Sequence, residues 1–282
     1  MGAITNALFE AYSNKQFKVM KVLVDHGADV STRTHNDTTC LHAACIKGDL
    51  RIVKFLLDHG ADINAEDEEG STPFGIAFEK ENMKLITLLL KRGADPDPFL
   101  RDMYTQPPSY TQPCSYTTED SYTSEYTHTP LMSATAKNDI NMMKLLLKYN
   151  AGVHCYVSVD DADDIYSETS SPLILACQHG HIDALNLLPQ HGVDINYIYN
   201  ADQNESSLIC LFRSRAWRSR KNAAYTDDLS TDKIACLRLL LEYGADVAVT
   251  DTKGNTAFDY VKDRPTIISI LNEYMDVKPI LK

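Results

Sequence analysis

Cys177-Gln178-His179-Gly180-His181 places a thiol and two imidazoles within five residues, a set that can ligate zinc or pair a nucleophile with a base. Elsewhere the reactive types scatter. His26, His59 and His191 each stand one residue before a glycine, far apart in the chain. Carboxylates run together at Glu66, Asp67, Glu68 and Glu69, and again from Asp160 to Asp164. The second run could meet a cation, but it lacks the glycine and ligand spacing of a calcium loop. Arg213, Arg215, Arg218, Arg220 and Lys221 crowd nine positions around Trp217, the only tryptophan. Arg and Trp dominate interface energetics, and a basic run can also meet nucleic acid or anionic lipid. There is no phosphate-binding glycine loop and no G-x-S-x-G elbow.

The elements that would position these groups are set by a period. Gly27-Ala28-Asp29, Gly60-Ala61-Asp62 and Gly93-Ala94-Asp95 stand 33 residues apart, so the 282 residues read as a stack of small units rather than one globular core. A net charge of −12 argues against a general nucleic-acid binder, because phosphates require a basic face. Seven cysteines without CxxC spacing, most in apolar helical stretches, point to a reduced, cytoplasm-like compartment, with the nucleus also open. No apolar run approaches membrane-spanning length, and no basic-then-apolar leader stands at the start.

The second unit is the clearest: Thr39-Cys40-Leu41-His42-Ala43-Ala44, then Gly48-Asp49, Ile52-Val53, Phe55-Leu56-Leu57 and Gly60-Ala61-Asp62. Thr39 suits an N-cap, and Pro73, Pro130 and Pro172 fall at the first helical position of later copies. Gly48 separates a second helix, and Gly60 suits the left-handed residue that ends it. Pro189, in the last turn of a second helix, predicts a kink or a shortened helix. These motifs resemble the ankyrin repeat, with its T-P-L-H, G-H and L-L-L…G-A-D signatures. His keeps the T-P-L-H position only at His42.

The resemblance implies an all-α, ankyrin-repeat α-solenoid with short β-hairpin-like connecting loops, counted as one domain over 1–282. Its repeats fall at about 4–33, 34–66, 67–98, 127–155, 169–198, 204–249 and 251–275. It also implies a non-enzymatic, monomeric protein-interaction module acting as adaptor, scaffold or inhibitor. No cofactor, metal or catalytic residue is assigned. Gly180-His181 is the family's own helix-turn pair, Cys177 takes its small-residue position, and the histidines before the turn glycines lie in different repeats. In such proteins the hairpin tips and inner faces of the first helices bind partners. Here those positions include Arg33, His35, Asn36, Ile46 and Lys47 in the second unit, and Glu66, Glu68, Glu69, Ser71, Glu79 and Lys80 in the third. Asn64 and Asn196 resemble asparagines that are hydroxylated in some eukaryotic ankyrin proteins. The alternatives are a ubiquitin-ligase substrate adaptor, a pathogen or viral host-directed effector, or contact with anionic lipid or nucleic acid through 213–221.

Spacing between equivalent turns then grows to 57, 42 and 52 residues, marking insertions at about 98–127, 158–167 and 213–231. The first repeats Tyr-Thr-Gln-Pro. Nearly free of aliphatics and rich in proline, it reads as a loop without regular structure. Its Tyr104-x-x-Pro107 and Tyr110-x-x-Pro113 resemble ligands of some SH2 domains, which makes Tyr104 and Tyr110 candidate phosphorylation positions. The third carries Arg213, Arg215, Trp217, Arg218 and Arg220 as a candidate partner contact.

Overall fold

The computed structural model describes residues 2–98, 115–117, 129–159, 168–200, 204–213 and 230–277. Two compact units divide the chain, Met1–Thr105 and Gln106–Lys282.

The first unit contains α1 (Gly2–Ser13), α2 (Phe17–Asp25), α3 (Cys40–Lys47), α4 (Leu50–Asp58), α5 (Pro73–Glu79) and α6 (Met83–Lys91). Consecutive helices pair, α1 with α2, α3 with α4 and α5 with α6, and α3 packs sideways on both α1 and α5. Sequence dictates the starts. Thr39 and Thr72 sit in extended backbone, and their hydroxyls accept from the His42 and Gly75 amides, two donors that a helix N-terminus leaves unpaired. Helical spacing dictates the buried stripe. In α4, Ile52, Val53, Phe55 and Leu56 are buried while Arg51 and Lys54 face water. Phe17 of α2 meets Phe55 edge-on at 5.2 Å, and Arg51 stacks over Phe17 at 4.0 Å.

The triplet aspartate has a job of its own. Its Oδ1 accepts the amide two residues on, from Ser31 to Asp29 at 2.8 Å, Asn64 to Asp62 at 3.0 Å and Asp97 to Asp95 at 3.0 Å. The same side-chain turn recurs in the second unit at Asp194 and Asp246. Each fixes the start of the segment that leaves its helix pair.

The second unit contains β1 (Ser115–Thr117), α7 (Pro130–Ala136), α8 (Ile140–Lys148), β2 (Tyr156–Val159), β3 (Glu168–Ser170), α9 (Pro172–His179) and α10 (Ile182–Leu187). It continues with β4 (Ile198–Asn200), β5 (Glu205–Ser206), α11 (Ser207–Arg213), α12 (Thr231–Glu242), α13 (Ala257–Tyr260) and α14 (Pro265–Val277). Thr129 and Ser171 cap α7 and α9 ahead of Pro130 and Pro172. Pro189 acts as its chemistry requires: α10 stops at Leu187, and a 3₁₀ turn over Pro189–His191 finishes the helix.

Short strands flank the insertions. β2 and β3 pair antiparallel, Val157 opposite Ser170 and Val159 opposite Glu168, on either side of the second insertion. β4 and β5 pair antiparallel with an irregular register. β1 pairs parallel with β2, so Ser115–Thr117 of the first insertion is a strand where the sequence predicts loop. Tyr and Thr favour the pleated backbone, and the free edge of β2 supplies partners for it. The remainder of that insertion lies outside the described residues.

Aromatic rings bind these strands to the helices. His154 stacks on Tyr197 at 4.5 Å, Tyr197 meets Tyr199 at 5.1 Å, and Tyr199 meets Tyr156 at 5.7 Å. Tyr199 is fully buried against Ile174 of α9 and Cys210 of α11.

Candidate partner-binding surface

In the first unit two adjacent hairpin tips are laced together. The Arg33 guanidinium donates to the Glu66 carbonyl at 2.6 Å and to the Asp37 carbonyl at 3.4 Å. The Glu68 amide donates to the Asn36 carbonyl at 3.1 Å. Arg33 and Asn36 therefore hold one tip to the next, and His35 beside them is exposed. The acidic run does not present four equal carboxylates. Asp67 turns inward, its Oδ1 accepting the Glu69 amide at 3.0 Å and the Ser71 amide at 2.9 Å, and Glu66 is half-buried. Glu68 and Glu69 are the exposed pair.

Below the tips, the ends of the first helices carry the other predicted residues. Ile46 is 53% exposed, a branched apolar side chain facing water in the last turn of α3. Lys47 follows it with its ammonium 4.7 Å above the Tyr12 ring. Glu79 ends α5 and Lys80 caps it, both exposed. Ser71 is half-buried, and its carbonyl accepts from His42 Nε2 at 3.0 Å. His42 is itself fully buried and serves the framework. Ile46, Lys47, Glu79 and Lys80 thus stand on neighbouring helices that pack together.

The second unit places its predicted cation differently. Arg213, the last residue of α11, forms an ion pair with Glu205, and the two side chains are only 12% and 2% exposed. Cys210 Sγ also donates to Glu205 Oε2 at 3.6 Å. Its charge is committed to the interior rather than offered outward. Arg215, Trp217, Arg218 and Arg220 lie outside the described residues, as do Tyr104, Tyr110 and Asp160–Asp164.

A family model described as ankyrin repeats, in three copies, matches residues 8–99 and 113–199, more than half of the chain. The chain belongs to the ankyrin-repeat family. Ankyrin repeat protein nuc-2 of Neurospora crassa is 28% identical over 147 residues, 47% of this chain and 13% of that protein. An ankyrin repeat domain from Acinetobacter baumannii AYE is 20% identical with a TM-score of 0.53, covering 84% of this chain and 97% of that one. The human ASB11 ankyrin repeat domain is 21% identical with a TM-score of 0.47, covering 90% of either chain. The Acinetobacter likeness shows the fold alone. Ankyrin repeats are protein–protein interaction modules built on a non-enzymatic fold.

Within this ankyrin frame the asparagines singled out from sequence are structural ties. Asn64 Oδ1 accepts the Asp95 amide at 3.0 Å, one repeat on. Asn196 Oδ1 accepts the Asp246 amide at 2.7 Å while its Nδ2 donates to the Gly244 carbonyl at 3.0 Å. The Cys177 thiol is buried, and burial pushes its pKa well above the usual thiol range, which suppresses the thiolate a nucleophile needs. His179 and His181 stack at 5.5 Å, and His181 Nε2 donates to the Ala136 carbonyl at 3.1 Å. His26 and His59 each bond a carbonyl one turn back in their own helix. Among the described residues no three His, Cys, Asp or Glu gather closely enough to share a metal ion. Among them, too, no helix is long and apolar enough to cross a membrane.

The aromatic ladder was the feature missed from sequence. Its signal is the two-residue spacing of His154 with Tyr156 and of Tyr197 with Tyr199, which is strand periodicity beside an insertion.

Proposed function

We propose that this ankyrin-repeat chain is a monomeric, non-enzymatic adaptor, scaffold or inhibitor of the cytoplasm or nucleus. It grips a protein partner with the hairpin tips and first-helix ends of its first unit. The contact residues are His35, Ile46, Lys47, Glu68, Glu69, Glu79 and Lys80, with Arg33, Asn36, Glu66 and Ser71 holding the tips in place. Arg215, Trp217, Arg218 and Arg220 form a second contact. The observation that carries the reading is Ile46, more than half exposed among charged neighbours on packed helices. A central apolar residue rimmed by charge is the arrangement in which truncation most affects affinity. Glu68 and Glu69 would steer a basic partner and raise its on-rate more than its affinity. Hydroxylation of Asn64 and Asn196 and phosphorylation of Tyr104 and Tyr110 belong to the same proposal as regulation, read by peptide mass.

The test is affinity capture with the intact chain, with Ile46→Asp/Glu79→Lys, and with Arg215→Ala/Arg218→Ala/Arg220→Ala, all shown folded by circular dichroism. Recovery of the same partner from wild type, reduced at least about tenfold in the first variant, supports the surface. Undiminished recovery with both variants refutes it. Salt-sensitive retention on anionic vesicles or nucleic acid, lost only in the arginine variant, would replace the protein partner with an anionic surface.

A further inference from the structure

Helix α2 carries a set of residues that the next repeat uses for stacking. Lys18, Val19, Val22 and His26 stand 33 residues before Arg51, Ile52, Phe55 and His59 of the α4 repeat. In α4 the set is engaged. Ile52 and Phe55 are buried, and the Phe17 ring of the preceding repeat lies edge-on to Phe55 at 5.2 Å. Arg51 stands over Phe17 at 4.0 Å, and the His59 ring is 4.3 Å from Phe55. The next copies, Leu85 and Leu88 of α6, are buried and half-buried. In α2 the set is open: Val19 is 44% exposed and Val22 56%, against 9% for Phe55.

We propose that this face of α2 is a docking site for an amphipathic helix of a partner protein. The helix sits in the register that α2 takes on α4, with an aromatic residue in the place of Phe17. The stacking interface continues from one repeat to the next, and the same four positions receive a helix in the repeat that follows. Val19, Val22 and His26 are spaced three and four residues apart, one stripe along the helix. Repeat stacks ordinarily close on polar faces, and two exposed valines depart from that.

The side chains around the valines select the occupant. His26 Nδ1 bonds the Val22 carbonyl at 2.8 Å as His59 Nδ1 bonds that of Phe55 at 2.7 Å, so the imidazole wall is held in place without a ligand. Lys18 stands where Arg51 stacks on Phe17, offering a cation to a ring. Val22 is smaller than Phe55 and leaves that ring room. Lys15, Lys18 and Lys21 are exposed around the start of α2, so carboxylates flank the aromatic residue of the docking helix. The α2 helix of a second copy does not fit, because its own Phe17 is already held against Phe55.

Fluorescence anisotropy on the full chain tests this with a labelled, stapled helical peptide. The peptide carries Phe at one position, Leu three, four and seven residues on, and Glu at the rest. Wild type binds it saturably. Val22→Glu weakens binding about tenfold or more, whereas Met83→Glu, at another exposed apolar position, leaves it unchanged. Exchanging the peptide's Phe for Ala weakens binding about threefold, the scale of a cation–ring contact. Lys18→Glu reverses the preference for this peptide over one with Lys in place of Glu. All three variants change exposed positions, and circular dichroism checks that they fold. No saturable binding would overturn the proposal, as would an unreversed preference in Lys18→Glu. Equal losses in Val22→Glu and Met83→Glu would overturn it by showing indiscriminate apolar adhesion. Self-association in sedimentation, abolished by Val22→Glu, would overturn it by making a second copy the occupant.

Discussion

His42 Nε2 donates to the Ser71 carbonyl at 3.0 Å, tying the first helix of one repeat to the hairpin of the next. The Thr39 amide donates to the opposite nitrogen, Nδ1, at 3.1 Å, which fixes the neutral tautomer with its proton on Nε2. Burial lowers the His42 pKa from its ordinary 6.5, outweighing the upward pull of the Ser71 carbonyl and Asp67. Burial lowers His154 and His179 in the same way.

A pH dependence of stability follows from that sign. A histidine held neutral contributes stability above its unfolded pKa of about 6.5, and the contribution is lost as pH falls through that value toward the lower folded one. Urea midpoints should therefore drop between pH 7.5 and pH 5, and His42→Gln should flatten part of the slope. A midpoint constant over that range would show that His42 protonates freely in the fold.

Breaking the Glu205–Arg213 pair should damage the second unit rather than a partner contact. Arg213→Ala leaves a carboxylate only 2% exposed without its cation, at a cost of about 3–5 kcal/mol. Replacing both partners, Arg213→Met with Glu205→Leu, removes the uncompensated charge and should recover most of that loss. Chemical denaturation of the two variants decides it. Equal loss in both would mean that the ion pair is not what α11 depends on.

How much of this was legible from sequence varies with the physics. Thr72-Pro73, Thr129-Pro130 and Ser171-Pro172 announce helix starts because capping oxygen and fixed φ are properties of the residues themselves. The recurring triplets revealed the hairpins but not the side-chain turns made by Asp29 and Asp62, which are local geometry. The strands stayed hidden because two to four residues hold too little periodicity, and β1 depends on a partner some forty residues away. In the candidate surface, Asp67 and Glu68 look equivalent as letters. Only the turn decides that Asp67 points inward to amides and Glu68 outward. Arg213 read as the head of an exposed run because Glu205 lies on a separate strand, out of helical register.

Gly180 and Gly60 share a positive φ but differ in their surroundings, so the same substitution should separate them. At Gly60, with φ +85°, a Cβ would meet nothing within 4 Å, and Gly60→Ala should cost only the backbone strain, about 1–2 kcal/mol. At Gly180, with φ +75°, a Cβ would stand 3.0 Å from Asp232 Cβ and 3.3 Å from the Asp232 carbonyl carbon. Gly180→Ala adds that clash to the strain, for a further loss of about 1–3 kcal/mol. Comparable urea midpoints for the two variants would mean that the start of α12 yields freely at Asp232.

The two repeat-tying asparagines should answer differently to the same change. Asn64 accepts an amide proton from Asp95, so Asn64→Asp keeps an acceptor in place and should be nearly neutral, while Asn64→Ala removes that hydrogen bond at about 1 kcal/mol. Asn196 both accepts from the Asp246 amide and donates to the Gly244 carbonyl. In Asn196→Asp a carboxylate oxygen replaces the donor and faces the carbonyl oxygen at the same distance, which is repulsive. That variant should lose at least as much stability as Asn196→Ala, about 1–2 kcal/mol. Thermal unfolding of the four single variants reads the contrast directly. If Asp is tolerated equally at both positions, Asn196 holds Gly244 by packing and not by its amide hydrogen bond.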